Sequence, residues 1–217
     1  GWAPIGRYGF DGTYDGQDYA ITGLTINNAS TSDIGLFSRN YGTIQNLSVE
    51  GGKIAGFEWT GGIVGENHGT IQNVHMRGCD IQGNSFTGGI AGLSVGIVRN
   101  CSVTGGIDAG GVADISGAVG GIVGDNIRGY TAGTGVIESC YSAVKIHNSK
   151  ASEASAYGGI CGTNDGTIQN CWSLSTVSGP SMVCGLVGSN TRDGSILQCA
   201  VVGSSVSYTN AAGPGSR

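Results

Sequence analysis

The residues that could carry chemistry are few, and each needs company. The stretch GLSVG at 92–96 has the G-x-S-x-G spacing of a nucleophile elbow. That motif holds a serine on a sharp strand-to-helix turn, within reach of a histidine base. Ser94 has no helix-forming sequence after it, and none of His68, His75 or His147 is placed to serve it. The histidines stand alone, without the H-E-x-x-H spacing that puts two imidazoles on one helical face around zinc. The seven cysteines include no C-x-x-C pair, and Cys79, Cys161 and Cys184 share no ligand spacing, so no metal site is expected. Glu66 and Asp125 could serve as acid and base on a glycosidic bond if the fold set them roughly 6.5–9.5 Å apart. Asp108 and Asp114 could pair within one loop, although a loop acid is more often a turn residue.

Whether any of these groups meet depends on the elements that carry them. Glycine is 43 of 217 residues and proline only 3, which excludes collagen. Hydrophobic residues make up 39% and charged residues 12%, too apolar for a disordered linker. The net charge of −5 argues against a nucleic-acid surface, which needs a basic patch. No apolar run reaches the ~18 residues of a membrane span, so direct membrane insertion is not expected. No cofactor is implied.

The chain repeats itself. Units begin at Gly35, Gly62, Gly89, Gly121, Gly159 and Gly185, and "GGIVGENHGTIQN" at 61–73 recurs almost letter for letter in "YGGICGTNDGTIQN" at 157–170. Each unit holds three short β-type runs, such as "GGIVG", "TIQNVHM" and "CDIQG", bounded by Gly and Asn. None shows a helical period. A unit of this kind cannot bury its own apolar side, so units must stack. The expected fold is all-β: a single three-sided parallel β-solenoid of about six rungs, with a right-handed coil favoured by the preference of parallel crossovers. Residues 1–33 form a capping segment and first strands, 34–206 the six repeats, and 207–217 a polar tail.

Stacking predicts columns. Ile44, Ile71, Val98, Ile137, Ile168 and Ile196 form one; Ile54, Ile81, Ile107, Ile146, Val177 and Val206 another. Branched side chains suit an inward parallel β surface. Between them run Leu47, Val74, Cys101, Cys140, Cys171 and Cys199, which makes four cysteines small hydrophobes of the interior. Asn46, Asn73, Asn100, Ser139, Asn170 and Gln198 form a polar column; Asn40, Asn67, Asn126, Asn164 and Asn190 form a second. Asn tolerates left-handed backbone, and its amide can bond a neighbouring rung. In this alignment Ser94 takes the slot of Glu66, Asp125 and Thr163.

These repeats resemble the GLUG motif of bacterial cell-surface and secreted proteins. The leading "GWAPIG" with "FDGTYDGQDYAITGLTINN" is similar to the stretch that precedes such arrays. The resemblance implies extracellular display on a bacterium, as in adhesin-like proteins and the stalks of immunoglobulin-A-cleaving metallopeptidases. It implies no catalytic residue and suggests a part of a longer chain.

Function is then expected where the rungs differ. Extra length gathers at the corner after the third run, plus one insertion at 127–135. Tyr141 and Trp172 follow the cysteine column, so they should stand exposed on adjacent rungs and offer a stacking surface; Phe57 and Trp59 would add to it from the first long corner. The expectation is a non-enzymatic spacer or adhesive scaffold whose partner is a host or microbial glycan or a surface protein. The alternatives are a carbohydrate-active β-helix enzyme, with glycosidase or lyase chemistry, and the non-catalytic segment of a surface peptidase.

Overall fold

The structure, a computed structural model, describes residues 2–110, 117–129, 135–148 and 155–209. These form 26 short strands and no helix, arranged in sheets of 15, 6 and 5 strands. All named strand pairs are parallel and follow the order of the repeats, so the chain is a β-solenoid. One coil runs from the narrow sheet at Thr60–Gly61, around a Gly-Ile corner, to the six-stranded sheet at Val64–Asn67. A two-residue turn then leads to the broad sheet at Thr70–Gln82.

The register is that of the columns. Ile44, Ile71, Val98, Ile137, Ile168 and Ile196 pair in succession, as do Ile26, Ile54, Ile81, Ile107, Ile146, Val177 and Val206. A third apolar column, Phe37, Val64, Ala91, Val123, Cys161 and Val187, runs up the six-stranded sheet. Each such side chain contributes about 1.5–3 kcal/mol when a rung covers it. Cover is what decides: Ile168 is 0% exposed, whereas Ile196, at the last rung, is 38% exposed. The opposite end is plugged by aromatic rings, with Phe10 and Tyr14 packed 5.1 and 5.3 Å from Phe37.

The division of the rungs departs from the expected three runs, most clearly in the second unit. "TIQNVHM" and "CDIQG" form one strand, Thr70–Gln82, and a two-residue strand, Thr60–Gly61, lies in what reads as a connection. Left-handed residues bend the long strand without ending it. The bend at Asn73 (φ 54°) recurs inside a strand at Asn46 and between two strands at Asn100, Ser139, Asn170 and Gln198, with φ between 52° and 54°. A second bend falls at Gly78. Two-residue strands carry no periodicity, so only buried Thr60 and Thr87, paired in register, mark the narrow sheet.

Glycine sets how closely coils and sheets approach. A Cβ on Gly69 would run into the carbonyl of Gly42 one rung below, and one on Gly65 into the backbone of Asp33. The six-stranded sheet thus lies directly on the narrow sheet's backbone.

Candidate functional site

The outward column of the broad sheet runs Ser48, His75, Ser102, Tyr141, Trp172 and Ala200, paired rung to rung. Tyr141 and Trp172 are neighbours with ring centroids 5.6 Å apart and planes at 37°. The tilt breaks the pair into two facets. Trp172 is 44% exposed and Tyr141 half-buried; exposed Leu174 follows just after the strand Trp172–Ser173. On the earlier rungs His75 Nδ1 lies 2.8 Å from Ser102 Oγ. Burial, then Arg77, holds the His75 imidazole below its usual value.

Phe57 and Trp59 do not join this surface. They precede the narrow sheet at Thr60–Gly61 and are half-buried there. Trp59 has left-handed backbone (φ 47°), and its indole Nε1 is buried without an acceptor among the described residues. Both residues follow the broad-sheet strand Lys53–Ala55 on the coil of Ser48, three rungs before Tyr141.

Ser94 is not in the slot of Glu66 and Asp125. Leu93 pairs with both acids, and Ser94 pairs with Asn67 and Asn126. Its Oγ accepts from Asn67 Nδ2 at 3.1 Å, and the chain continues into the strand Ile97–Arg99, with no helix. Ser94 is therefore the missing member of an amide ladder. Asn40 Nδ2 donates to Asn67 Oδ1 (2.9 Å), Asn126 to Asn164 (2.7 Å) and Asn164 to Asn190 (2.7 Å). In the other polar column, Asn73 Nδ2 donates to Asn46 Oδ1 and Asn46 to Asp15. Asn100 and Asn170 keep the left-handed bend without a side-chain bond among the described residues.

The thiols are interior groups. All seven cysteines are unpaired; Cys101, Cys140 and Cys171 are buried, Cys199 partly so, and Cys184 is exposed. Each thiol of the column donates to the carbonyl two residues earlier, at 3.2 Å. Burial pushes Cys140 well above the ordinary thiol range, and its contact with Cys140 does the same for Cys171. Among the described residues no three His, Cys, Asp or Glu side chains are placed to hold a metal ion.

The acids fall into two settings. Asp125 stands two rungs from Glu66, with Leu93 between. Burial, then Asp165, raises it to about 6. Glu66 belongs to a polar cluster that the sequence reading missed. His68 Nε2 lies 3.1 Å from Glu66 Oε2, and Arg39 Nη2 lies 3.4 Å from Glu66 Oε1. Arg39 also bonds Asp33 Oδ2 through Nη2 (2.7 Å) and Nε (3.1 Å). Tyr41 stacks on His68 at 4.7 Å, nearly parallel. The His68 bond lowers Glu66 from the usual carboxylate value, while burial and Glu66 raise Asp33 to about 6. Asp33 itself has left-handed backbone (φ 59°). The one signal for this cluster was register, because Arg39 occupies the slot of Glu66 one rung earlier. Elsewhere His147 approaches Asp108 at 3.9 Å, and both line a trough with Lys53 and Asp80. Asp114 and most of the insertion at 130–134 lie outside the described residues.

Asp33 and Arg39 line a cleft of about 860 Å³ at the first rung, with Trp2, Arg7, Tyr8 and Asn28 among its other walls.

No family model and no curated protein matches this sequence. Among solved structures the chain is similar to a Bacteroides ovatus protein described as a candidate immunoglobulin A1 protease. The TM-score is 0.52 and the sequence identity 17%, over 92% of this chain and 72% of that one. At that identity the likeness is one of fold.

Proposed function

We propose that this chain is a non-enzymatic recognition scaffold displayed outside a bacterial cell. A rigid β-solenoid presents ring faces to a glycan or a partner protein. The observation that carries the reading is Trp172, 44% exposed on a regular sheet and backed by Tyr141 on the adjacent rung at 5.6 Å. A half-open indole on a fixed backbone loses little freedom on binding and offers one flat apolar face to a sugar ring. The GLUG-like repeats support surface display, and the fold shared with the Bacteroides ovatus protein is compatible with a non-catalytic segment of a larger surface peptidase.

The enzymatic alternative has less support. Glu66 and Asp125 stand two strand spacings apart, roughly 10 Å, with Leu93 between them, and Glu66 is engaged by Arg39 and His68. A glycan array probed with wild type and Trp172→Ala tests the leading reading. Binding that falls about tenfold or more in the variant supports it; equal binding, or none by either protein, sinks it. Polysaccharide turnover lost in Glu66→Gln or Asp125→Asn would replace it with the enzymatic one.

A further inference from the structure

We propose that the first-rung cleft bounded by Trp2, Arg7, Asn28 and Arg39 is a binding site for an acidic saccharide, with Arg39 receiving the sugar carboxylate and Trp2 stacking on the ring. The volume, about 860 Å³, lies within the range of small-molecule sites. Its lining departs from the rest of the molecule in charge. Two arginines and one aspartate face it, in a chain of net charge −5.

Arg39 is held in a fixed pose. Asp33 takes its Nε and Nη2, and Glu66 approaches the same Nη2. Among the described residues Nη1 has no acceptor. A guanidinium held at Nε and Nη2 leaves Nη1 to donate to one oxygen of a ligand carboxylate. Trp2 is also fixed: its Nε1 donates to the carbonyl of Leu36 at 3.4 Å, and the residue remains 46% exposed. Tyr8, 94% exposed, carries Arg7 about 6.0 Å from its ring centroid. A pinned ring face, a guanidinium with a free Nη1 and the neighbouring amide of Asn28 match a ligand with a flat apolar face, a carboxylate and hydroxyls. A uronic-acid oligosaccharide has all three.

The charges around Arg39 add a pH signature. Asp33 and Glu66 touch it, His68 stands beside Glu66 with Tyr41 stacked on it, and Arg7 shares the cleft. Asp33 takes up a proton near pH 6, which removes a negative charge beside the incoming carboxylate. Binding therefore strengthens as pH falls from about 7.5 to about 5.

The test is calorimetric titration of the whole chain with trigalacturonic acid, with neutral maltotriose and hexaglutamate as comparison ligands. The proposal expects trigalacturonate alone to bind, more tightly at the lower pH. It expects a loss of about tenfold or more in Trp2→Ala, in Arg7→Gln and in Arg39→Gln. Trp2 and Arg7 are surface positions, so those variants keep the test valid even if Arg39→Gln loosens the rung. Trp172→Ala must leave this binding unchanged, which separates the cleft from the sheet surface. Equal binding of maltotriose, no binding of trigalacturonate, or full binding by both Trp2→Ala and Arg7→Gln overturns the proposal. Binding of hexaglutamate as tight as that of trigalacturonate makes the cleft a site for acidic peptides and overturns it as well.

Discussion

Changing Ser94 to Asn should stabilise the protein, and the size of the effect follows from one orphaned atom. Along the amide ladder each Nδ2 donates to the Oδ1 of the next rung. Ser94 accepts from Asn67 but cannot reach up, and Asn126 Oδ1 is buried without a donor. The insertion after Asn126 also separates it from its turn glycine; in other rungs that backbone N–H bonds the Asn, as Gly42 and Gly166 do for Asn40 and Asn164. An unsatisfied buried acceptor costs about 1–3 kcal/mol. Ser94→Asn supplies the missing donor and keeps an acceptor for Asn67, and this slot holds Asn in the rungs on either side. The expected gain is about 2 kcal/mol, or roughly 4–8 °C in Tm for a chain of this size. Urea and thermal unfolding of wild type, Ser94→Asn, Asn126→Ala and the double variant measure it as a cycle. In the Asn126→Ala background the gain should vanish. A gain that persists there refutes the reasoning. So does a loss of 1–3 kcal/mol from overpacking.

Three further outcomes are expected. Asp125, raised to about 6, has a folded value above its ordinary one of 3.8, so its contribution to stability is complete below about pH 4 and lost as pH rises through 6. Asp125→Asn should therefore match wild type in urea midpoint near pH 4 and exceed it near pH 8. Brief alkylation of the native protein followed by mass spectrometry should modify Cys184 first and Cys199 slowly. Cys101, Cys140, Cys161 and Cys171 should react only on unfolding. Gly69→Ala, which drives a Cβ into the Gly42 carbonyl, should lower stability by roughly 3 kcal/mol, seen as a drop in urea midpoint.

The solenoid was legible because its evidence is redundant. Any one of Ile44, Ile71, Val98, Ile137 and Ile168 is an ordinary branched residue; five at matching places fix a register, and the structure keeps every pair. The same redundancy hid other features. Asp33, Arg39 and His68 each occur once in their columns, so no repeat amplifies them, and Asp33 stands in the leading segment where the alignment begins. The G-x-S-x-G spacing places Ser94 one residue out of register and masks the gap it fills between Asn67 and Asn126. Phe57 and Trp59 belong to a corner whose two-residue strand has no period to read. Shared columns could show that Tyr141 and Trp172 are neighbours, but the 37° tilt is a matter of rotamers and packing.

The amide ladder also gives the molecule an electrical direction. Parallel strands stack the side-chain amides head to tail, each with its oxygen toward the earlier rung and its nitrogen toward the later one. Aligned dipoles reinforce one another in a buried row, as peptide groups do along a helix. The row from Asn126 to Asn190 thus carries partial positive charge toward the last rung and partial negative charge at the Asn126 oxygen. Ser94 is a gap in that polarised line, so the field of the early rungs and the field of the late ones are set separately.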